Sequence, residues 1–256
     1  MNYKSVTSRE NPLIKDVFKL KSSAKQRQKQ GEFVVEGLRI CNDLADNGVG
    51  FNTLIFSENF FKKNEIVAEN LSKNAKETIV VPEFVFEKIA DTDNPQGIMA
   101  VVKMIEKTEE IDKNGRYIAL ENLSDPTNLG AISRTAEALG ISGIIISKNS
   151  CDPYSPKVIR ASMGTILRLP LIITEDFTDC LKNSELKLYA CVVRGGESIS
   201  NINFQNGSAV LIGNEANGLT AETVELCEKV TIKMSGKAES LNASVAAAIA
   251  MWELIK

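Results

Sequence analysis

The sequence predicts an α/β protein of two domains with mostly parallel strands. Three observations predict it. Short apolar runs alternate with amphipathic stretches of helical period along almost the whole chain, the pattern of strands crossed by helices. The alternation breaks at the charged stretch IEKTEEIDKNG, residues 105–115, which ends in Asn-Gly and reads as a linker. The composition is that of an ordinary globular protein, with 43% hydrophobic and 25% charged residues among 256, enough for a substantial core. The expected domains are residues 1–104 and 116–256, joined by 105–115.

The elements follow in order. NPLIKDVFKLKSSAKQRQKQGEF is predicted as one basic amphipathic helix. Leu13, Ile14, Val17, Phe18 and Leu20 form its apolar stripe and Gly31 its stop. EFVVEG, FNTLIFS, ETIVV and GIMAVVKM are strands, and LRICNDLADNG, NEIVAENLSKNA and EFVFEKIAD are the helices between them. Beyond the linker, RYIALEN and GIIISK are buried strands flanking an alanine-rich helix. SPKVIRASMGT is a short helix with Pro156 in its first turn. LRLPLII, KLYACVV, SAVLIG and EKVTIKM are strands, and TAETVELCE is a helix capped by Thr220. The last stretch, SLNASVAAAIAMWELIK, is a helix apolar nearly all round, which must be buried by its own domain or by a partner chain.

Charge and composition exclude several function classes. The net charge of −3 predicts no nucleic-acid partner by itself, but residues 1–30 hold eight cations against two anions, a net of +6. That asymmetry permits a basic, anion-binding end. Its helix can be a packed helix with a solvated face, an RNA contact or a membrane-surface element. There is no histidine, which removes Ser-His-Asp and Cys-His catalysis and histidine-ligated metals. The five cysteines are scattered, odd in number and never spaced Cys-x-x-Cys. Neither a disulfide framework nor a zinc site is expected, and a reducing cytoplasm is the simplest setting. The polar N-terminus lacks an apolar signal core, and no apolar run approaches the ~20 residues of a membrane helix.

Three polar turns interrupt apolar strands of the second domain, where ligand sites of parallel sheets gather. In ENLSDPTNLGAISRTAEALG, Asn122, Asp125, Asn128 and Gly130 form a turn and cap, and Arg134 follows six residues after Asn128. A helix N-terminus and a guanidinium together suit a phosphate; a capped helix with a surface arginine is the plainer alternative. In LIGNEANGL, Gly213 and Gly218 allow close backbone approach to a ligand and Glu215 sits at the strand tip. In IKMSGKAESLNASVAAA, a polar loop delivers Ser240, Asn242 and Ser244 to the start of the buried helix, with Ser240 a candidate cap.

These three turns, in this order, resemble the SpoU (TrmH-like) class of SPOUT methyltransferases, RNA ribose 2′-O-methyltransferases that use S-adenosylmethionine. NLSDPTNLGAISRTAEALG matches the first motif, GNEANGL the second and SLNASVA the third. The match spans Arg116 to Lys256, with Lys233 where the family often has proline and Ala243 where it has valine. FVVEG, NPQGIMAVV and the basic helix resemble the L30e-like substrate-binding domain often attached to these enzymes.

The resemblance implies a C-terminal α/β trefoil knot, its last segment threaded through a loop, behind a smaller L30e-like α/β domain. It implies a homodimer through the knot domain, S-adenosylmethionine contacts at Gly213, Ile232, Leu241 and Gly195, and no metal. Arg134 would clamp a phosphate beside the reacting hydroxyl, since a guanidinium stays charged and is a poor base. Asn128 would orient the arginine or the substrate, Glu215 would hold a donor and could position Arg134, and Ser240 and Asn242 would orient the ribose. Ribosomal RNA is favoured over transfer RNA. A non-catalytic RNA-binding dimer and a base methyltransferase of the wider class remain the alternatives.

Overall fold

The structure is a computed structural model that describes residues 3–104 and 110–256; residues 105–109 of the expected linker lie outside the described residues. The chain divides into two compact units, Met1–Ile105 with Tyr154–Ile159, and Glu106–Pro153 with Arg160–Lys256.

The first unit is built from β1 (Lys4–Ser5), α1 (Pro12–Ser22), α2 (Ala24–Gln30), β2 (Glu32–Glu36), α3 (Leu38–Asp46), β3 (Phe51–Ser57), α4 (Glu58–Lys63), α5 (Glu65–Ser72), β4 (Ala75–Val81), α6 (Glu83–Ile89) and β5 (Ile98–Lys103). The sheet order is β1-β4-β3-β5-β2. β1, β4 and β3 are parallel, but β5 runs antiparallel to both β3 and β2. The sheet is therefore mixed, not mostly parallel. Alternation shows that helices separate the strands, not from which end the last strand enters.

The expected basic helix is two helices. Ser23 breaks it in an extended conformation (φ −133°) and caps α2 by accepting from the Gln26 N–H. Gly31 ends α2 at φ 66°, the left-handed geometry that suits glycine. Arg27 folds back, and its Nη1 donates to the carbonyls of Leu20 and Lys21 at 2.6 and 3.0 Å, supplying donors to the end of α1. Ile14, Val17 and Leu20 enter the core with Val34, Ile55, Ile79, Phe86 and Met99. Phe18 of the expected stripe does not; it is 39% exposed.

Beyond residue 110 the elements are β6 (Arg116–Leu120), α7 (Pro126–Ala138), β7 (Gly143–Ser147), α8 (Pro156–Ser162), β8 (Leu171–Thr174), α9 (Phe177–Lys182), β9 (Lys187–Cys191), β10 (Glu197–Ser198), β11 (Ser208–Ile212), α10 (Ala221–Glu225), β12 (Glu228–Thr231) and α11 (Ala243–Ile255). The sheet order is β10-β12-β9-β11-β6-β7-β8, parallel throughout. Interior strands such as Ile144–Ile146 are buried on both faces, as parallel sheets require. The expected strand LRLPLII starts only at Leu171, because Thr165–Leu167 forms a 3-10 turn and Pro170 precedes the ladder.

α11 packs against α7, β11 and β6. Its cap is Asn242, not Ser240: the Asn242 side chain accepts from the N–H groups of Ser244 and Val245. Arg116 at the start of β6 donates from Nη1 to the Ile255 carbonyl at 3.0 Å, so the end of α11 is tied to the first strand of its sheet. What positions the site is the pairing of β6 with β11, Leu120 opposite Ile212. It brings the turn after β6 beside the turn after β11.

Candidate active site

The turn after β6 is built from side-chain bonds. Asn122 sits at φ 54°, which asparagine tolerates better than most residues. Its N–H donates to Ser147 Oγ and its carbonyl accepts from Asn214 Nδ2, both at 2.8 Å. Asp125 caps α7 by accepting from the Thr127 N–H at 2.8 Å, and Pro126 opens the helix.

Two carboxylates tie this turn to the one after β11, each holding the other's segment. Glu121, 5% exposed at the end of β6, accepts from the N–H and Oγ1 of Thr220 at 2.8 Å and from Thr223 Oγ1 at 2.7 Å. Glu215 accepts from Ser124 Oγ at 2.8 Å, the N–H groups of Ser124 and Asp125 at 3.1 Å, and Asn128 Nδ2 at 2.9 Å. Asn128 is buried in the first turn of α7, and its Oδ1 accepts from Asn242 Nδ2 at 3.0 Å. The line Glu215–Asn128–Asn242 therefore links all three polar turns and runs directly into the cap of α11.

The bonds decide how Glu215 ionises. Burial alone would push its carboxyl up, but the hydrogen bonds from Asn128 and Ser124 outweigh that and hold it down at about 2. Glu215 is thus a fixed anion at neutral pH and a weak proton acceptor there, its oxygens already occupied by hydrogen bonds. Because its folded value lies below the ordinary 4.5, it adds stability above about pH 4.5, and that contribution fades as pH falls toward 2. Allowing for solvent screening of this exposed group, the loss is about 1 kcal/mol, or ~2–4 °C in Tm. Thermal melts between pH 6 and pH 3 check it: the drop in Tm for Glu215→Gln should be smaller than for wild type by that amount, and equal drops would remove Glu215 from the account.

Beside this line lies a cavity of about 450 Å³, within the size range of small-molecule sites. Gly213, Glu215, Ile232, Ser240, Leu241 and Asn242 line it, with Ile212, Met234 and Ala246 adding apolar wall. Its lining holds one carboxylate and neither lysine nor arginine. Such a wall suits a nucleoside-sized ligand that carries positive charge. Cys191 also lines it, with burial pushing its thiol up to about 11, so the thiol stays neutral. Among the described residues, no group of three His, Cys, Asp or Glu side chains is placed to hold a metal ion.

The expected site residues divide accordingly. Gly213, Ile232, Leu241, Glu215, Ser240 and Asn242 come together at the cavity, and Asn128 stands behind them. Gly213 is also needed for a reason the sequence did not suggest. A Cβ there would meet Gly218 and Leu219 backbone atoms at 2.1–2.4 Å, so the chain's own turn requires glycine at this edge of the cavity. Gly195 lies in an exposed turn at φ 81° and does not line the cavity. Arg134 does not line it either. It sits about 9 Å along α7 from Asn128 and about 120° around the axis, not near the helix N-terminus. It is exposed and makes no hydrogen bond or ion pair among the described residues. Glu215 bonds the turn of Ser124 to Asn128, not the arginine.

Glu121, Ser124 and Asn214 were not singled out from sequence. The signal for Glu121 was the threonine pair at the start of α10, which needs an acceptor.

The comparisons with known proteins agree with this geometry. Residues 115–252 match the SpoU rRNA Methylase family, and residues 11–100 match the MRM3-like substrate binding domain. An uncharacterized tRNA/rRNA methyltransferase of Synechocystis is 34% identical, over 97% of this chain and 92% of its own. A Bacillus subtilis 23S rRNA (guanosine(2553)-2′-O)-methyltransferase is 28% identical, over 98% of this chain and 99% of its own. An AdoMet-bound rRNA methyltransferase from Sinorhizobium meliloti superposes with a TM-score of 0.87 at 31% identity, covering 98% of this chain and 97% of that one. A two-unit α/β chain whose three polar turns are bonded together beside one cavity thus belongs to the SpoU rRNA methylase family.

Proposed function

We propose that this protein transfers a methyl group from S-adenosylmethionine to a ribose 2′-hydroxyl of ribosomal RNA. The observation that carries the reading is the bonded line Glu215–Asn128–Asn242 along a cavity that holds one carboxylate and no cation. The Bacillus and Sinorhizobium relatives, which match nearly the whole chain, support the RNA class and the cofactor. When bound, S-adenosylmethionine supplies a methyl group on a positively charged sulfur.

The chain's own residues then position and exclude. Ile232, Leu241 and Met234 would hold the cofactor's apolar surface, and Glu215 would supply negative potential that suits its positive charge. Ser240 and Asn242, at the mouth of α11, orient the ribose. Alignment of this kind supplies ~7–11 kcal/mol in favourable cases. Glu215 is a weak base whose oxygens are taken up by Ser124, Asp125 and Asn128, so we assign the hydroxyl proton to solvent or to a substrate group instead.

Arg134 clamps the phosphate next to the reacting hydroxyl. Its exposure on α7, and the lack of a cation in its own protomer's cavity, fit an arginine that serves the cavity of a second copy. A homodimer through this unit is supported by Val245 and Trp252, 47% and 54% exposed and two helical turns apart on α11; large apolar side chains repeating on one face mark an interface. The knotted threading of the C-terminal segment belongs to the same reading, as does a cytoplasmic setting beside the ribosome.

The test uses the purified protein, methyl-labelled cofactor and ribosomal RNA lacking the modification. Label should appear in a dinucleotide that resists alkaline cleavage, because a methylated 2′-oxygen cannot attack the adjacent phosphate. Label recovered on a free base would overturn the reading.

A further inference from the structure

In the first unit, α1 and α6 lay their apolar faces on the sheet, and what they turn outward is unusual for a solvated surface. Phe18 is 39% exposed and Phe84 is 47% exposed. The ammonium groups of Lys21 and Lys88 each stand 5.2 Å from the centroid of the Phe18 ring. The Arg9 guanidinium stands 5.2 Å from the Phe84 ring, while its Nε donates to the Phe84 carbonyl at 2.9 Å. A groove of about 200 Å³ runs beside Phe18, lined by Arg9, Glu10, Lys15, Phe18, Lys19 and Lys88.

The charges here are not all taken up internally. Lys15 pairs with Glu10 at 2.6 Å and Lys19 with Asp16 at 3.5 Å. Arg9, Lys21 and Lys88 have no carboxylate at ion-pair distance among the described residues; the Lys21 ammonium donates only to the Ala90 carbonyl. Exposed rings interleaved with spare cations present what an unpaired nucleotide needs: a flat apolar face for the base and positive charge for the phosphates on either side. An acidic peptide would use the cations and leave the rings idle. A membrane surface would call for a broader apolar face than two separated rings.

The geometry points to a single-strand docking site on the α1–α6 face, where an unpaired RNA base stacks on Phe18 and Lys21, Lys88 and Arg9 hold the flanking phosphates. It deepens the proposed function and rests on RNA being the substrate. Phe18 and Lys88 are outside the core, Lys21 gives up one bond to the Ala90 carbonyl when changed, and none of them lines the methyl-transfer cavity.

The test measures fluorescence anisotropy of a labelled twelve-nucleotide oligouridine on the full chain, alongside methylation of ribosomal RNA. Phe18→Ala should weaken binding about tenfold or more, the loss expected for one stacked base, while Phe18→Trp keeps it. Lys21→Gln with Lys88→Gln should flatten the dependence of log affinity on log salt by about 0.7 per charge. S-adenosylmethionine binding should be unchanged in all three. If wild type methylates RNA but Phe18→Ala binds oligouridine as wild type does, this site is overturned and the function stands. Equal competition by a duplex of the same length would overturn it too, because only phosphate is then read. If Phe18→Ala instead loses binding to anionic vesicles or an acidic peptide and keeps oligouridine, the surface serves that partner and the assignment falls. A wild-type chain that neither methylates RNA nor binds oligouridine would bring down the function and this site together.

Discussion

Arg134→Ala is expected to lower methyl transfer about a hundred- to a thousandfold, the cost of removing one preorganised charge from a transition state. The affinity for S-adenosylmethionine should stay within about twofold, because interactions away from the cofactor leave its binding intact and Arg134 does not line the cavity. Arg134→Lys should recover only part of the rate, since a lysine lacks the planar fork that grips two phosphate oxygens.

Mixing variants separates action within a protomer from action across a dimer. Arg134→Ala and Asn242→Ala should each be nearly inactive alone. Co-refolded in equal amounts, they should regain about a quarter of wild-type activity if the arginine serves the partner's cavity, because half the dimers then carry one complete site. No regain would place Arg134 at its own cavity or outside the chemistry. The single-variant rates tell those two apart.

Asn128→Asp is the second large effect. The amide of Asn128 donates to Glu215 and accepts from Asn242 in the same step, and an aspartate of the same shape keeps the acceptor but loses the donor. Two carboxylates would then face each other where one of them is buried, which raises the pKa of one. Turnover should fall about a hundredfold through misplacement of the turns. The pH dependence carries an opposite sign from that of wild type. Once protonated, the introduced carboxyl can donate to Glu215 as the amide did. Its folded pKa would be raised above the unfolded value, so the stability penalty is present at neutral pH and eases as pH falls. Thermal melts at pH 7 and pH 5 should therefore bring the variant closer to wild type at the lower pH. A constant gap would show that the Glu215–Asn128 bond is not what the substitution removes.

Much of this was legible in the sequence for physical reasons. Strands such as Ile144–Ile146 are buried on both faces and so read as unbroken apolar runs. The turns stood out because polar residues cannot continue such runs. Thr220 was recognisable as a cap because a hydroxyl before a helical stretch has few other uses.

Other features were hidden because they are not local. Asn128 meets Glu215 across 87 positions and Asn242 across 114, and no periodicity reports such a pairing. The antiparallel entry of β5 depends on the path of the chain between elements. Ser23 breaks the first helix inside an otherwise helical stretch, because its side chain caps α2 and Arg27 takes up the carbonyls of Leu20 and Lys21. Phe18 fits the helical stripe by spacing, yet the core is filled by Ile14, Val17 and Leu20.

The bond from Arg116 to the Ile255 carbonyl bears on how the protein is made. β6, the interior strand it starts, borders the central strand β11, whose residues follow some ninety positions later, and its helix partner α11 comes later still. During vectorial synthesis the sheet beyond residue 110 cannot pair its middle until β11 has left the exit tunnel, and it is not covered by α11 until residue 255 has. The strands before residue 104, by contrast, have all their sheet neighbours in hand much earlier. Nascent chains arrested just short of residue 255 should thus expose the catalytic half to protease while the leading sheet is already protected, a window in which a chaperone would engage the trailing half.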